Sequence, residues 1–212
     1  MENIIELKGV SKSFYGETLF EDISLEIKKG GIIGFVGENG CGKSVLFKMI
    51  CGLISPDTGT IRVMNRVITE GRFPTSIGVM LDGGGFVPYQ SGFDNLKQIA
   101  VIDGKIGNKE IEEAMEQVGL DYKSKKPVKK YSLGMKQRLG IAMALMENPM
   151  LLFLDEPMNA LDKDMTLKVR DILLKKKEDG VTILLTSHNQ KDIDVLCSQV
   201  YRFDNGRLIQ IV

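Results

Sequence analysis

The stretch Gly37-Glu38-Asn39-Gly40-Cys41-Gly42-Lys43-Ser44 fits the pattern G-x-x-x-x-G-K-[ST] at every fixed position. Its flanks fit as well. Gly31-Ile32-Ile33-Gly34-Phe35-Val36 is a short apolar run that reads as a buried strand. From Ser44 to Leu53 the apolar residues Val45, Met49 and Leu53 recur at helical spacing. Strand, glycine-rich turn and helix are what a polyphosphate requires. The glycines let the backbone bend around the anion and aim its N–H groups inward. The helix that follows presents the positive end of its dipole to the same phosphates. Lys43 adds a full charge near the β- and γ-phosphates, and the Ser44 hydroxyl can ligate Mg²⁺. Residues 37–44 are therefore the candidate nucleotide cradle.

Further along, Leu151-Leu152-Phe153-Leu154-Asp155-Glu156-Pro157 delivers two carboxylates at the end of an apolar strand. In a P-loop fold an Asp at that place holds Mg²⁺, directly or through water. A Glu just beyond it can take a proton from an attacking water or orient it. Around these two landmarks the first third of the chain reads as β-rich, with short runs at 4–10, 23–27, 61–68 and 77–81. Helical periodicity takes over at 93–101, 108–118 and 132–146, with Asn108 expected to cap the second of these helices. The last third alternates: a strand at 151–154, a helix at 164–177, a strand at 181–186, a helix at 189–197 and a hairpin turning at Asp204-Asn205-Gly206. The reading is a single α/β domain over residues 1–212. Residues 1–81 and 148–212 form a P-loop NTPase core, mostly parallel sheet flanked by helices, with an N-terminal antiparallel β-subdomain. Residues 82–147 form an inserted helical subdomain.

Composition narrows the functional classes. Lys plus Arg and Asp plus Glu both number 28, so there is no overall pull toward nucleic acid or anionic lipid. The three cysteines, Cys41, Cys51 and Cys197, form no C-x-x-C pair and read as reduced thiols of a cytosolic protein. Cys41 sits inside the cradle beside Lys43, where its default reading is a tolerated small residue whose backbone does the binding; an acidified, oxidisable thiol is the alternative. The N-terminal Met1-Glu2-Asn3-Ile4 is acidic and strand-like, so no signal peptide is expected. No stretch reaches the ~18 apolar residues of a membrane span. Any membrane work would need a span from another chain. The lysines at 123, 125, 126, 129 and 130 make a basic run whose default reading is a solvated face. Anionic lipid headgroups are the alternative.

Three further segments complete a family pattern. Tyr131-Ser132-Leu133-Gly134-Met135-Lys136-Gln137-Arg138 resembles the signature motif of ATP-binding cassette (ABC) ATPases. Asn159-Ala160-Leu161-Asp162 resembles the family's D-loop, and Thr186-Ser187-His188 its switch-histidine loop. The resemblance runs from about Ile4 to the end. The Tyr-Ser-Leu-Gly-Met variant and the stretch 86–96 are most similar to ATPase subunits of bacitracin- and lantibiotic-type exporters.

The resemblance implies an ATP hydrolase that uses ATP and Mg²⁺. It implies Lys43, Glu156 and His188 as catalytic residues and Ser44, Asp155 and Asp82 toward the metal. An aromatic residue, Phe14 or Tyr15, would stack on adenine, and at least one of the two is expected to pack on the β-subdomain instead. Ser132 and Gly134 open a helix whose N-terminus is an anion site. In the family that site, with Asp162, meets the nucleotide of a second subunit. Asp82 departs from the family pattern, standing where its glutamine is expected and leading into Gly83-Gly84-Gly85. The implied partners are a second ATPase subunit and a separate permease at the cytoplasmic face of the membrane. A cassette ATPase driving an assembly reaction, such as iron–sulfur cluster delivery, is the alternative.

Overall fold

A computed structural model describes residues 2–81 and 85–212. The chain packs as two compact units, Met1–Thr75 with Thr186–Val212, and Ser76–Leu185.

In the first unit, β1 (Asn3–Phe14) and β2 (Glu17–Lys28) pair antiparallel, with Phe14 opposite Glu17. The two turn residues, Tyr15 and Gly16, have φ of 53° and 85°, as the hairpin turn that matches strand twist requires. On β2 the alternating Ile23, Leu25 and Ile27 are buried while their neighbours face water, so one face of this sheet is packed. β1 also pairs antiparallel with β4 (Thr58–Val63), which pairs with β5 (Arg66–Val67). The apolar run 61–68 is thus a tight hairpin, because Met64 and Asn65 both take positive φ and reverse the chain.

The unit's other strands are β3 (Gly31–Val36), β9 (Gln199–Asp204) and β10 (Arg207–Gln210). β3 runs parallel to β9, and β9 turns antiparallel into β10 at the expected Asn205-Gly206. Helix α1 (Lys43–Ile50) follows β3. Its buried apolar residues are Leu46, Phe47, Met49 and Ile50, whereas Leu53 is 46% exposed and lies beyond the helix. The helix expected from the spacing of Val45, Met49 and Leu53 is present but closes at Cys51, and Phe47 packs on β3. Phe47 meets Phe35 edge-on at 5.4 Å. Such a pair adds roughly 0.5–1.5 kcal/mol beyond its buried area and fixes the angle between strand and helix.

The second unit holds three parallel strands, β6 (Ile77–Met80), β7 (Leu151–Leu154) and the bulk of β8 (Thr182–Thr186), in the order β6-β7-β8. All four residues of β7 are fully buried, which is why the strand reads as a continuous apolar run. The connection from β6 to β7 carries α2 (Gly92–Asp103), α3 (Asn108–Gln117), a 3₁₀ turn (Val128–Lys130) and α4 (Leu133–Leu145). Helix α5 (Lys163–Glu178) crosses from β7 to β8, and α6 (Gln190–Leu196) follows β8 in the first unit. On α3 the expected face of Ile111, Met115 and Val118 is buried. Its cap differs from the expectation. Asn108 is the first helical residue, and the N–H of the preceding Gly107 donates to the Glu110 carboxylate at 2.8 Å. The Glu110 carboxylate thus satisfies the Gly107 N–H, the backward half of a capping box, and among the described residues no side chain caps the first-turn N–H groups.

Candidate active site

The cradle begins where β3 ends. Gly42 stands directly before α1 with φ of 107°, and a Cβ there would meet the side chains of Leu19 and Phe20 at 3.0–3.1 Å. Both the dihedral and the close floor of β2 call for glycine at this point. The helix N-terminus has no side-chain cap. Lys43 is 8% exposed, and its ammonium donates to the carbonyls of Gly37 and Glu38 at 2.8 and 2.9 Å. The Cys41 sulfur lies 3.7 Å from the same nitrogen. A nearly buried cation must find acceptors. Here they are neutral backbone oxygens of its own loop, and an anionic acceptor would add the ion–ion attraction that a neutral carbonyl lacks.

Phe14 and Tyr15 lie at the tip of the β1–β2 hairpin. Tyr15 is fully exposed. Phe14 is 40% exposed with the Lys12 ammonium 5.2 Å from its ring centre. Tyr15 does not pack on the β-subdomain, whereas Phe14 closes β1 opposite Glu17 and is partly covered.

The strand carrying His188, β8, lies beside the strand carrying Asp155, as the sequence suggests. His188 is exposed at the end of β8. Its loop is pinned by neighbours that the motif reading missed. The buried Ser187 hydroxyl donates to Asp192, itself 1% exposed, at 2.8 Å, and accepts from the N–H of Asn189 at 3.1 Å. The signal was present in the sequence as a serine five residues before an acid at a helix start.

In the second unit, the N–H of Asp155 donates to the Met80 carbonyl at 2.9 Å, closing the end of the β6–β7 pair. Glu156 follows with φ of 50°. For a residue with a side chain that conformation costs of order 1–3 kcal/mol, so something must hold it. Gln137 on α4 supplies the hold: its side-chain amide donates to the Glu156 carbonyl at 2.6 Å. Ala160 is likewise left-handed, at φ of 59°, and its carbonyl lies 2.7 Å from where a Gly134 Cβ would stand. Gly134 therefore has a packing reason to lack a side chain, which the motif reading did not supply. Ser132 caps α4 by accepting from the Met135 N–H at 3.2 Å, and Asp162 caps α5 by accepting from the Met165 N–H at 2.8 Å. Glu156, Gln137, Gly134 and Ala160 thus form one connected group. Asp82 lies outside the described residues.

The ABC transporter family matches residues 20–159, a span that holds the cradle, the paired carboxylates and the helix between them. The chain belongs to the ABC transporter family. It is an ABC-type ATPase subunit close to the exporter type. The bacitracin transport ATP-binding protein BcrA of Enterococcus faecalis is 36% identical over 215 residues, covering 100% of this chain and 70% of the relative. The lantibiotic transport ATP-binding protein SrtF of Streptococcus pyogenes is 33% identical over 206 residues, covering 97% and 89%. Among solved structures, cbiO1 from Clostridium perfringens, part of the ABC transporter complex cbiONQ, superimposes with a TM-score of 0.81 at 26% identity, covering 99% of this chain and 88% of that one. The α/β fold with its antiparallel β-sheet and inserted helices is therefore that of an ABC ATPase.

Proposed function

We propose that this ATPase subunit binds ATP on residues 37–44, closes with a second copy around two ATP molecules, and drives a separate membrane permease as an exporter. The observation that carries the reading is the Lys43 ammonium, nearly buried at the head of α1 and bound to weak acceptors that a phosphate can replace. Phe14 and Tyr15, both exposed at one hairpin tip, are each available to stack on adenine. BcrA and SrtF, named for transport of bacitracin and of lantibiotics, support export. The cbiO1 likeness supports a membrane complex. Among the described residues no helix is long and apolar enough to cross a membrane, in keeping with a permease on a separate chain and with this subunit at the cytoplasmic face.

Glu156 is the general base in this reading. It takes the proton of the attacking water as the water's oxygen bonds to the γ-phosphorus and the bond to ADP breaks. His188 places the γ-phosphate, and Lys43 stabilises the charge on it. Ser44 and Asp155 are hard oxygen donors, a hydroxyl and one carboxylate. That set fits a Mg²⁺ ion completed by phosphates and water rather than an all-protein cage. Mg²⁺, when bound, would neutralise charge on the β- and γ-phosphates. Ser132, Gly134 and Asp162 face the nucleotide held by the second copy. ATP then joins the two copies, and hydrolysis parts them.

Glu156→Gln tests the reading. It removes the base and leaves the cradle, so ATP binding should persist while turnover falls on the order of 100-fold or more. Size exclusion with ATP should show a trapped dimer. Near-normal hydrolysis, or an ATP-bound monomer alone, would refute it.

A further inference from the structure

The whole chain is neutral, with 28 residues of each sign, yet its charges are unevenly placed. From Tyr122 to Met146 there are seven lysines and arginines and no Asp or Glu. Five of the seven, Lys123, Lys125, Lys126, Lys129 and Lys130, fall within eight residues, and all five are exposed. Among the described residues none of the five has a carboxylate within ion-pair distance. The nearest acid in sequence, Asp121, spends its carboxylate on the backbone N–H of Lys123 at 2.9 Å.

The segment is also held in place. Ser91 and Pro127 form a β-bridge, and the N–H groups of Val128 and Lys129 donate to the carbonyls of Gln90 and Pro88, each at 2.8 Å. Val128 and Tyr131 are buried beneath it. The backbone is thus anchored while the ammonium groups stand outward. Tyr89, on the strip to which the segment is tied, is 75% exposed with the Lys129 ammonium 4.1 Å from its ring centre. Val87 on the same strip is 42% exposed.

From this arrangement we propose that residues 123–130, with Tyr89 at their margin, form a docking surface for an anionic lipid bilayer. The inference rests on the reading of the chain as a subunit that works at a membrane. The chemistry favours lipid over an acidic protein segment. All five cations are lysine. Arginine is the residue suited to paired, buried contacts with carboxylates, whereas lysine is a hydrated point charge on a long stem, suited to diffuse attraction toward a charged plane. Tyrosine, with an apolar body and a polar tip, is at home at the bilayer's headgroup level. Each lysine held near an anionic membrane surface contributes about 1 kcal/mol of attraction.

The test is sedimentation of the full chain with vesicles, either of phosphatidylcholine alone or with three-tenths phosphatidylglycerol, at low and physiological salt. Binding should need the anionic lipid and weaken as salt rises. A variant carrying Lys123→Gln, Lys125→Gln, Lys126→Gln and Lys129→Gln should lose more than tenfold in vesicle affinity, since each lysine near such a surface contributes up to about fivefold. A control with Lys175→Gln, Lys176→Gln and Lys177→Gln on α5 should bind as the parent does. Basal ATP hydrolysis, measured on the same samples, should be unchanged in both, which separates this inference from the ATPase reading. Absence of binding to anionic vesicles, or equal loss in the α5 control, would overturn it. So would lysine-dependent binding to polyglutamate without binding to vesicles, which would assign the surface to an acidic protein partner.

Discussion

The cradle at 37–44 and the carboxylate turn at 155–162 solve opposite problems. The cradle bends on glycine, and its charged side chain is satisfied by the carbonyls of the same eight-residue loop. Nothing distant in sequence is needed to hold Lys43. The carboxylate turn bends on Glu156 and Ala160, both carrying side chains at positive φ. It relies on Gln137, nineteen residues earlier on another helix, to hold the Glu156 carbonyl. The difference teaches where each region is vulnerable. A cradle made of backbone tolerates changes around it and fails when its own lysine goes. A base held by a distant side chain fails by degrees when its support is removed.

Lys43→Ala gives the largest effect expected of that contrast. The cradle loses its one fixed cation, and nucleotide binding by the isolated subunit should fall below detection in equilibrium titration with a fluorescent ATP analogue. Binding within a few-fold of the parent would show that the backbone alone holds the phosphates.

Gln137→Ala should be intermediate. It removes the 2.6 Å donor of the Glu156 carbonyl and leaves only the Asn159 N–H at 3.1 Å, and the net loss of one such bond costs about 0.5–1.5 kcal/mol. Part of that cost should appear as misplacement of the base, lowering kcat on the order of tenfold while KM for ATP changes less than twofold. Gln137→Glu, which keeps the size but cannot donate when ionised, should resemble the alanine variant. A rise in KM with kcat unchanged would place Gln137 in nucleotide binding and dissolve the contrast.

The smallest effect concerns the thiols. All three cysteines are free. Burial pushes the Cys51 thiol up to about 12, so it stays protonated and inert near neutral pH. Cys41 is half-buried in the cradle. Iodoacetamide followed by peptide mass mapping should label Cys41 in the free subunit and leave Cys51 unlabelled, and saturating ATP should slow labelling of Cys41 severalfold. Labelling indifferent to ATP would put the nucleotide elsewhere.

The same contrast decides what the sequence could disclose. The cradle was legible because its chemistry is contiguous: strand, glycine turn, lysine and helix stand in one short run. β7 was legible because four fully buried residues leave an unbroken apolar signature. The supports of Glu156 and His188 were not. Gln137 and Asp192 are ordinary polar residues until the fold brings them to a backbone carbonyl and a serine hydroxyl. The contact of Phe47 with Phe35 on β3 was not legible, because periodicity within one helix does not contain a tertiary contact. Asn108 falls inside the helix and not at its cap because the helix begins one residue earlier than the sequence signal suggests, after Gly107.

The central claim is that each nucleotide lies between Lys43 of one copy and Ser132 of the other. Mixing two inactive variants tests it most directly. Lys43→Ala removes the cradle's cation, and Ser132→Arg blocks the helix end that faces the partner's nucleotide, so neither variant alone should hydrolyse ATP. Combined, they form one intact composite site, Lys43 from the Ser132→Arg chain and Ser132 from the Lys43→Ala chain. The account predicts an ATP-dependent heterodimer holding one nucleotide, with hydrolysis recovered in the mixture. No heterodimer and no recovered hydrolysis at any ratio of the two variants would contradict it.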